Sequence, residues 1–208
     1  MPPELPHLPR PRLPLETPRL QLRVARGSDA SPLVAALGDR EVTRTVPLWP
    51  HYTRQDSRAY IARSRASVRS GSAYPLVITL AGAPEHPIGT VGLEVRSPRD
   101  RRGHLGYWVA RPYWGQGIAT EAAFRLCREA FRTVRLHRLE TAVVVGNARS
   151  RAVLAKLGFR SEGVDRENFL IDGRYRDAER FGLLASDFRD RDPTLGRPPV
   201  RLPEPAKA

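Results

Sequence analysis

Cysteine is nearly absent from this sequence, and Cys127 is the only one in 208 residues. One thiol cannot form an intramolecular disulfide, and it excludes metal sites that need several cysteines. No apolar run approaches the roughly 18 residues of a membrane-spanning helix. The N-terminus also lacks the cationic start and apolar block of an export signal. These absences predict a cytoplasmic protein that needs neither a disulfide nor a metal ion.

Lysine is almost as scarce, because only two of the 35 basic residues are lysine and the others are arginine. With 22 acidic residues, the formal charge is +13. This bias has two interpretations: a codon preference for arginine, or an acidic partner such as a phosphorylated cofactor, a protein or RNA. The arginines are spread along the chain, and no RNA-binding motif with interleaved aromatic residues is present. We therefore expect no direct binding of nucleic acid.

Proline marks both ends of the chain. Residues 1–18 contain seven of the 20 prolines. Because proline fixes φ and lacks an amide donor, this composition predicts a polyproline-like or disordered N-terminal arm. Residues 189–208 combine proline and charge with few apolar side chains, which predicts a C-terminal tail. A single folded domain is therefore expected over residues 19–188.

The pattern of apolar residues between these ends predicts a mixed α/β domain. Amphipathic stretches predict four helices, and alternating or β-branched runs predict seven strands. Short turns favour antiparallel hairpins, and Asp172-Gly173 is a strong two-residue turn signal. The predicted strands are 20–24, 74–80, 88–95, 104–110, 139–145, 159–170 and 175–184, and the predicted helices are 28–37, 53–70, 118–131 and 147–157.

The most informative motif is a glycine corner, Gly115-Gln116-Gly117, between a predicted strand and a predicted amphipathic helix. Glycine allows positive φ and a close approach of the backbone to a ligand. The first amides of the helix lack intrahelical acceptors, and with the helix dipole they suit a pyrophosphate. An ordinary tight turn has the same pattern. Neither GxxxxGK[ST] nor GxGxxG is present, so the two common phosphate motifs are excluded.

Several segments around this corner resemble the GCN5-related N-acetyltransferases, the GNAT family. The segments are 106–122, Asn147-Ala148-Arg149-Ser150, Lys156-Leu157-Gly158-Phe159, Glu162-Gly163 and 172–177. The last two are typical of the RimJ/RimL branch, which acetylates the N-termini of ribosomal proteins. The resemblance covers residues 17–188. It implies an α/β GNAT fold, with a central, mostly antiparallel twisted sheet of about seven strands, about four flanking helices, and a splay between the fourth and fifth strands.

The resemblance implies acetyl-CoA as the cofactor. The strand before the corner would pair with the pantetheine arm through Tyr107, Trp108 and Val109. Asn147 would also reach the pantetheine, although Asn at this position is equally a plain helix N-cap. The position of Trp114 usually holds Gln or Arg in the family, so this chain lacks one cationic contact there. The residues that would hold the diphosphate are Trp114, Gly115, Gln116, Gly117, Ile118, Ala119 and Thr120.

Acetyl transfer to an amine needs a base for the amine and a donor for the departing sulfur. Many relatives have a Tyr donor at the position of Leu154, which leaves Ser150 as the nearest hydroxyl. Ser150 also suits local helix capping. His104 is a candidate base because imidazole titrates near neutral pH, and it equally fits an exposed strand end. Glu94, on the adjacent strand, is the second candidate, either as a base or as an electrostatic anchor for an α-amino group.

The implied acceptor is a primary amine, and the branch favours the α-amino group of a protein N-terminus. Trp49, His51 and Tyr52 would line the acceptor site, or they would anchor a hydrophobic loop. The alternatives are a small-molecule amine, of aminoglycoside or polyamine type, and a non-catalytic CoA-binding or ribosome-associated module. Cys127 has no histidine near it in sequence, so direct attack without an acyl-enzyme is expected. Because relatives often pair, we also expect a homodimer.

Overall fold

The computed structural model describes residues 8–46 and 52–202. These residues form one eight-stranded sheet and five α-helices, with short 3-10 turns at Gly27–Asp29 and Arg111–Tyr113. The strands are β1 (Leu15–Glu16), β2 (Leu20–Val24), β3 (Ala73–Leu80), β4 (Ala83–Ser97), β5 (Arg102–Val109), β6 (Arg138–Val144), β7 (Arg160–Ile171) and β8 (Arg174–Leu184). The helices are α1 (Ala30–Leu37), α2 (Arg40–Thr43), α3 (Arg54–Ser70), α4 (Ile118–Arg132) and α5 (Ala148–Leu157).

The strands lie in the order β1-β2-β3-β4-β5-β6-β8-β7. All neighbouring strands are antiparallel except β5 and β6, which are parallel. These two pair only over Arg102–His104, opposite Arg138–Glu140. Because β5 continues to Val109 and β6 to Val144, the two strands separate beyond His104. The predicted mixed α/β GNAT fold, with its splay after the fourth predicted strand, is confirmed.

Helix α4 covers the sheet with the apolar stripe that its sequence predicts. Apart from the half-buried Ala119, the stripe is fully buried in the main core, as expected for one face of an amphipathic helix. Burial raises the pKa of the Cys127 thiol, so this cysteine is a protonated core residue and not a nucleophile. The other completely buried residues of the stripe are Ala122, Ala123, Leu126 and Ala130.

Local signals set several element ends. The Thr53 hydroxyl caps α3, and the Asp56 carboxylate accepts a hydrogen bond from the Thr53 amide in return, which is a capping box. Asp172 and Gly173 both have positive φ, the conformation of a two-residue hairpin turn between β7 and β8. The sequence did not predict β1 or α2. They contain two and four residues, too few for a hydrophobic period to be recognised.

The described parts of both chain ends pack on the domain. β1 pairs with β2, and the Arg10 guanidinium donates to the carbonyl oxygen of Arg69 at 2.7 Å. Near the other end, Asp190 forms ion pairs with two arginines of α4, at 3.1 and 3.2 Å. The predicted arm and tail therefore contact the folded domain within residues 8–18 and 189–202. Distant side chains hold these segments, and local periodicity carries no signal of such contacts.

None of the described helices combines the length and apolar composition needed to cross a membrane. Within residues 8–46 and 52–202, the fold also gathers no group of three or more His, Cys, Asp or Glu side chains that could hold a metal ion. The features that position a site are therefore the splay between β5 and β6 and the glycine corner beyond it.

Candidate active site

A cavity of about 1080 Å³ lies where β5 and β6 part. Its lining includes β5 from His104 to Val109, residues 141–143 of β6 and the first turn of α5. The cavity also contacts the glycine corner and the helices α1 to α3. Backbone N–H and C=O groups on strand edges that have separated need other partners. An extended ligand with amide groups can supply them.

The glycine corner presents backbone amides to this cavity. Gly115 and Gly117 have φ of 76° and 79°, which non-glycine residues rarely adopt. Gly117 is the N-cap of α4 and provides no side-chain cap. Within the described chain, the amides of residues 115–120 donate to no protein acceptor. Six such N–H groups at the positive end of a helix form an anion site, and they fit the diphosphate of coenzyme A.

The side chains of the corner have separate roles. The Trp114 indole donates to the carbonyl oxygen of Val109 at 2.6 Å, so that carbonyl already has a partner. The Arg149 guanidinium lies 4.7 Å from the centre of the indole ring, so a positive charge lies beside position 114 although the residue there is Trp. The Gln116 side chain accepts a hydrogen bond from the Arg201 amide at 2.7 Å and donates to the Arg201 carbonyl at 3.2 Å.

A hydroxyl pair lies at the first turn of α5. The Asn147 side chain accepts a hydrogen bond from the Ser150 amide at 3.1 Å, so Asn147 is the helix N-cap. The Ser150 hydroxyl lies 2.8 Å from the Tyr107 hydroxyl, and all three residues line the cavity. Burial raises the pKa of Tyr107, which keeps the phenol protonated. When Tyr107 donates to Ser150, the Ser150 proton can point to a sulfur atom in the cavity.

His104 lies between two carboxylates across the sheet. Its partners in register are Glu94 of β4 and Glu140 of β6. Burial is the main cause of a lowered His104 pKa, Arg96 lowers it further, and the two carboxylates oppose this shift. The imidazole is therefore neutral at pH 7 and has a lone pair for a proton. Glu94 is exposed, and its carboxylate lies 3.4 Å from the Arg96 guanidinium. The structure thus brings both predicted bases to the same cavity.

The predicted acceptor loop is described only at its end. Tyr52 lines the cavity beside Asp56 and Tyr60 of α3. Burial raises the pKa of both tyrosines, so both are neutral hydrogen-bonding groups at pH 7. Trp49 and His51 lie outside the described residues. Tyr52 is therefore the one member of the predicted set whose position the structure gives.

Sequence reasoning missed two side chains at this cavity. It considered Tyr107 for its backbone, whereas its hydroxyl contacts Ser150, 43 positions away. It assigned Arg197 to a tail, whereas Arg197 lines the cavity beside Gly117. Both contacts join segments far apart in the chain, and no motif or hydrophobic period marks them. The alternation of side chains along β5 is the one available signal, because it places Tyr107 and Trp108 on opposite faces.

Comparisons with known proteins agree with this geometry. The family model described as "Acetyltransferase (GNAT) domain" matches residues 19–160. A solved structure of Mycobacterium smegmatis RimJ in complex with CoA-disulfide is 31% identical, with a TM-score of 0.76, over 87% of this chain and 90% of that one. The [Ribosomal protein uS5]-alanine N-acetyltransferase of Escherichia coli (strain K12) is 35% identical over 85 residues, which is 41% of this chain and 44% of that protein. Spermidine N(1)-acetyltransferase of the same strain is 30% identical over 97 residues, 47% of this chain and 52% of that protein.

The family match and the RimJ structure bear on the cofactor and the class of reaction. The family model spans the glycine corner, the splayed strands and α5. The similar RimJ structure contains a coenzyme A derivative, and the amides of residues 115–120 fit the diphosphate of that cofactor. The expected cofactor and reaction class are therefore confirmed. This chain belongs to the GNAT family and is an acetyl-CoA-dependent N-acetyltransferase.

Proposed function

We propose that the enzyme acetylates the α-amino group of a protein N-terminus by direct attack of the amine on the thioester. The RimJ structure and the uS5-alanine N-acetyltransferase are the relatives that support a protein acceptor. The observation that carries the proposal is the charge arrangement at the acceptor end of the cavity, which suits one amine better than a polycation.

Every carboxylate that lines this end already has a partner. Glu41 lies 3.0 Å from Arg44, and the Asp56 carboxylate accepts hydrogen bonds from the Thr53 amide and hydroxyl at 2.8 and 2.6 Å. Glu94 pairs with Arg96, as described above. A polyamine or an aminoglycoside carries several positive charges and needs several available carboxylates. An α-amino group carries only one positive charge, which it loses with a single proton before it attacks.

His104 is the proposed general base. Its neutral imidazole takes a proton from the acceptor ammonium, which leaves a nucleophilic amine. Glu94 is exposed and its contact with Arg96 is long, at 3.4 Å, so it has room for one ammonium group, and its proposed role is to attract that group. Acetyl-CoA would supply the acetyl group as a thioester. The amine nitrogen would bond to the acetyl carbon as the carbon–sulfur bond breaks, and its second proton would pass to the departing thiolate, which leaves an amide and free coenzyme A.

Ser150 is the proposed donor to the departing sulfur. The Tyr107 hydroxyl lies 2.8 Å from the Ser150 hydroxyl, and its proposed role is to donate to Ser150 and hold that hydroxyl in place while burial keeps the phenol protonated. A thiolate is a good leaving group, so one hydroxyl hydrogen bond is sufficient help. The peptide N–H groups of residues 115–120, with Asn147, would hold the cofactor. Tyr52, Trp49 and His51 would line the acceptor site.

A second candidate function is acetylation of a polyamine, which the spermidine N(1)-acetyltransferase relative favours. Arg63 and Arg96 both line the cavity, and they would repel a flexible polycation. A third candidate, a CoA-binding module without turnover, predicts the same cofactor affinity and no thiol release.

Thiol release from acetyl-CoA separates these functions. The acceptors are peptides with a free N-terminal Ala or Ser, the same peptides with a blocked N-terminus, spermidine and an aminoglycoside. We expect release only with free α-amino groups, and mass spectrometry should place the acetyl group on that nitrogen. Blocked peptides that keep an internal lysine are the matched control. Turnover restricted to spermidine or the aminoglycoside, or cofactor binding without any turnover, would contradict the proposal.

A further inference from the structure

The C-terminal strap, residues 189–202, runs from the C-terminal half of α4 to the glycine corner at its N-terminus. At its start, Asp190 pairs with Arg128 and Arg132. Phe188, just before the strap, packs against Phe124 and Phe131 with ring centres 5.6 and 5.2 Å apart. These contacts attach the beginning of the strap to the helix whose N-terminus faces the cofactor site.

A second set of contacts attaches the strap at the corner itself. The Arg19 guanidinium donates to the carbonyl oxygens of Gln116 and Pro198, both at 3.1 Å. The Gln116 side chain makes the two hydrogen bonds to the Arg201 backbone described above. Val200 packs against the main core. The strap therefore passes directly beside the residues that would hold the diphosphate.

Arg197 lies between these two attachments and over Gly117. A Cβ atom at Gly117 would lie 3.0 Å from Cδ, Nε and Nη1 of Arg197, so the guanidinium is in contact with the corner. Arg197 is exposed and lines the cavity. Among the residues that the structure describes, no carboxylate forms an ion pair with it. A cation with five donors thus lies beside six backbone amides that have no acceptor within residues 8–46 and 52–202.

We propose that Arg197 is a ligand of the coenzyme A diphosphate. The corner amides are neutral donors, and the Trp114 indole at the start of the corner carries no charge. A guanidinium can bind two phosphate oxygens at once, and its contact with Gly117 puts it at the diphosphate and not at the adenosine. The strap is then part of the cofactor site, because Arg197 belongs to the strap and its guanidinium contacts the glycine corner.

Calorimetric titration of the full-length protein with coenzyme A tests this role without an acceptor. Arg197→Gln should raise Kd by about 10- to 100-fold, the range expected for charge-assisted hydrogen bonds. Arg197→Lys should lie between this variant and the wild type, because Lys keeps the charge but loses the fork. Arg191→Gln is the matched control, since it removes the same charge from the strap at an exposed position that does not line the cavity. It should leave Kd unchanged.

The same titrations with 3′-dephospho-CoA identify the phosphate involved. If Arg197 binds the diphosphate, Arg197→Gln should raise the Kd of dephospho-CoA by the same factor as the Kd of coenzyme A. A penalty that vanishes with dephospho-CoA would assign the arginine to the 3′-phosphate and overturn the proposal. Equal Kd for Arg197→Gln and Arg191→Gln would overturn it as well. So would tighter binding by Arg197→Gln, which would mean that the arginine obstructs the corner.

Discussion

Replacing Glu121 with Gln should strongly destabilise the protein, because it removes the anion from a buried network. Glu121 lies in the first turn of α4 and is 1% exposed. Its carboxylate accepts hydrogen bonds from the Thr17 hydroxyl at 2.6 Å and the Arg19 Nε at 2.7 Å. Arg19 is 10% exposed at its side chain, and it also contacts Gln116. The neutral variant leaves the Arg19 charge buried without a counterion.

The magnitude follows from the burial of both partners. Breaking a buried ion pair from one side costs about 3–5 kcal/mol of unfolding free energy. In a chain of this size each kcal/mol lowers Tm by about 2–4 °C, so a fall of about 6–20 °C is expected. The ion pair between Arg26 and Glu85 is the matched comparison, with side chains 50% and 68% exposed. Glu85→Gln should cost at most about 1 kcal/mol.

Thermal unfolding followed by circular dichroism, in the absence of cofactor, measures both variants under the same conditions. The double variant Arg19→Met with Glu121→Leu removes both charges and should recover most of the lost Tm, because no unpartnered charge remains buried. A Tm for Glu121→Gln within 2–3 °C of Glu85→Gln would refute the reasoning. So would a double variant that is less stable than Glu121→Gln.

Three further predictions concern the cavity and the assembly. In the wild type, kcat/KM should fall as pH decreases through the His104 pKa, which burial places below 6.5. His104→Gln should lower kcat/KM about 100-fold or more, and the fall of kcat/KM at low pH should disappear. Tyr107→Phe removes the partner of Ser150 and should lower kcat about 10-fold at an unchanged KM for acetyl-CoA; an unchanged kcat would exclude a positioning role. Sedimentation velocity should return the expected homodimer, and a monomer at all concentrations would contradict it.

The fold could be predicted largely because its signals are local. The capping box at Thr53 and the turn at Asp172-Gly173 act within a few residues, and they set the ends of α3 and the last hairpin. The alternation of buried and half-buried side chains in β6 is also local. In contrast, β1 exists because β2 pairs with it, and the strap is held by Arg19 and Gln116, about 80 to 180 positions away. Proline content predicted these segments as extended, and it carries no information about what they contact.

The candidate site divides in the same way. The glycine corner was recognisable because positive φ at Gly115 and Gly117 is a property of those residues alone. The placement of His104 opposite Glu94 follows from one hairpin, so it could be anticipated from adjacent strands. The contact between Tyr107 and Ser150 requires α5 to pack beside β5. That packing is a tertiary event, which a sequence pattern does not encode.

The short ladder between β5 and β6 has a mechanical consequence. Three residue pairs form the parallel connection between the two halves of the sheet, so the halves are joined along a short stretch at one end of β5 and β6. A pantetheine arm in this cavity would hydrogen-bond to the free edge of β5 and contact the first turn of α5, so a bound cofactor would add contacts across the separated strands. Release of coenzyme A would remove these contacts and leave the three-pair ladder as the connection between β5 and β6.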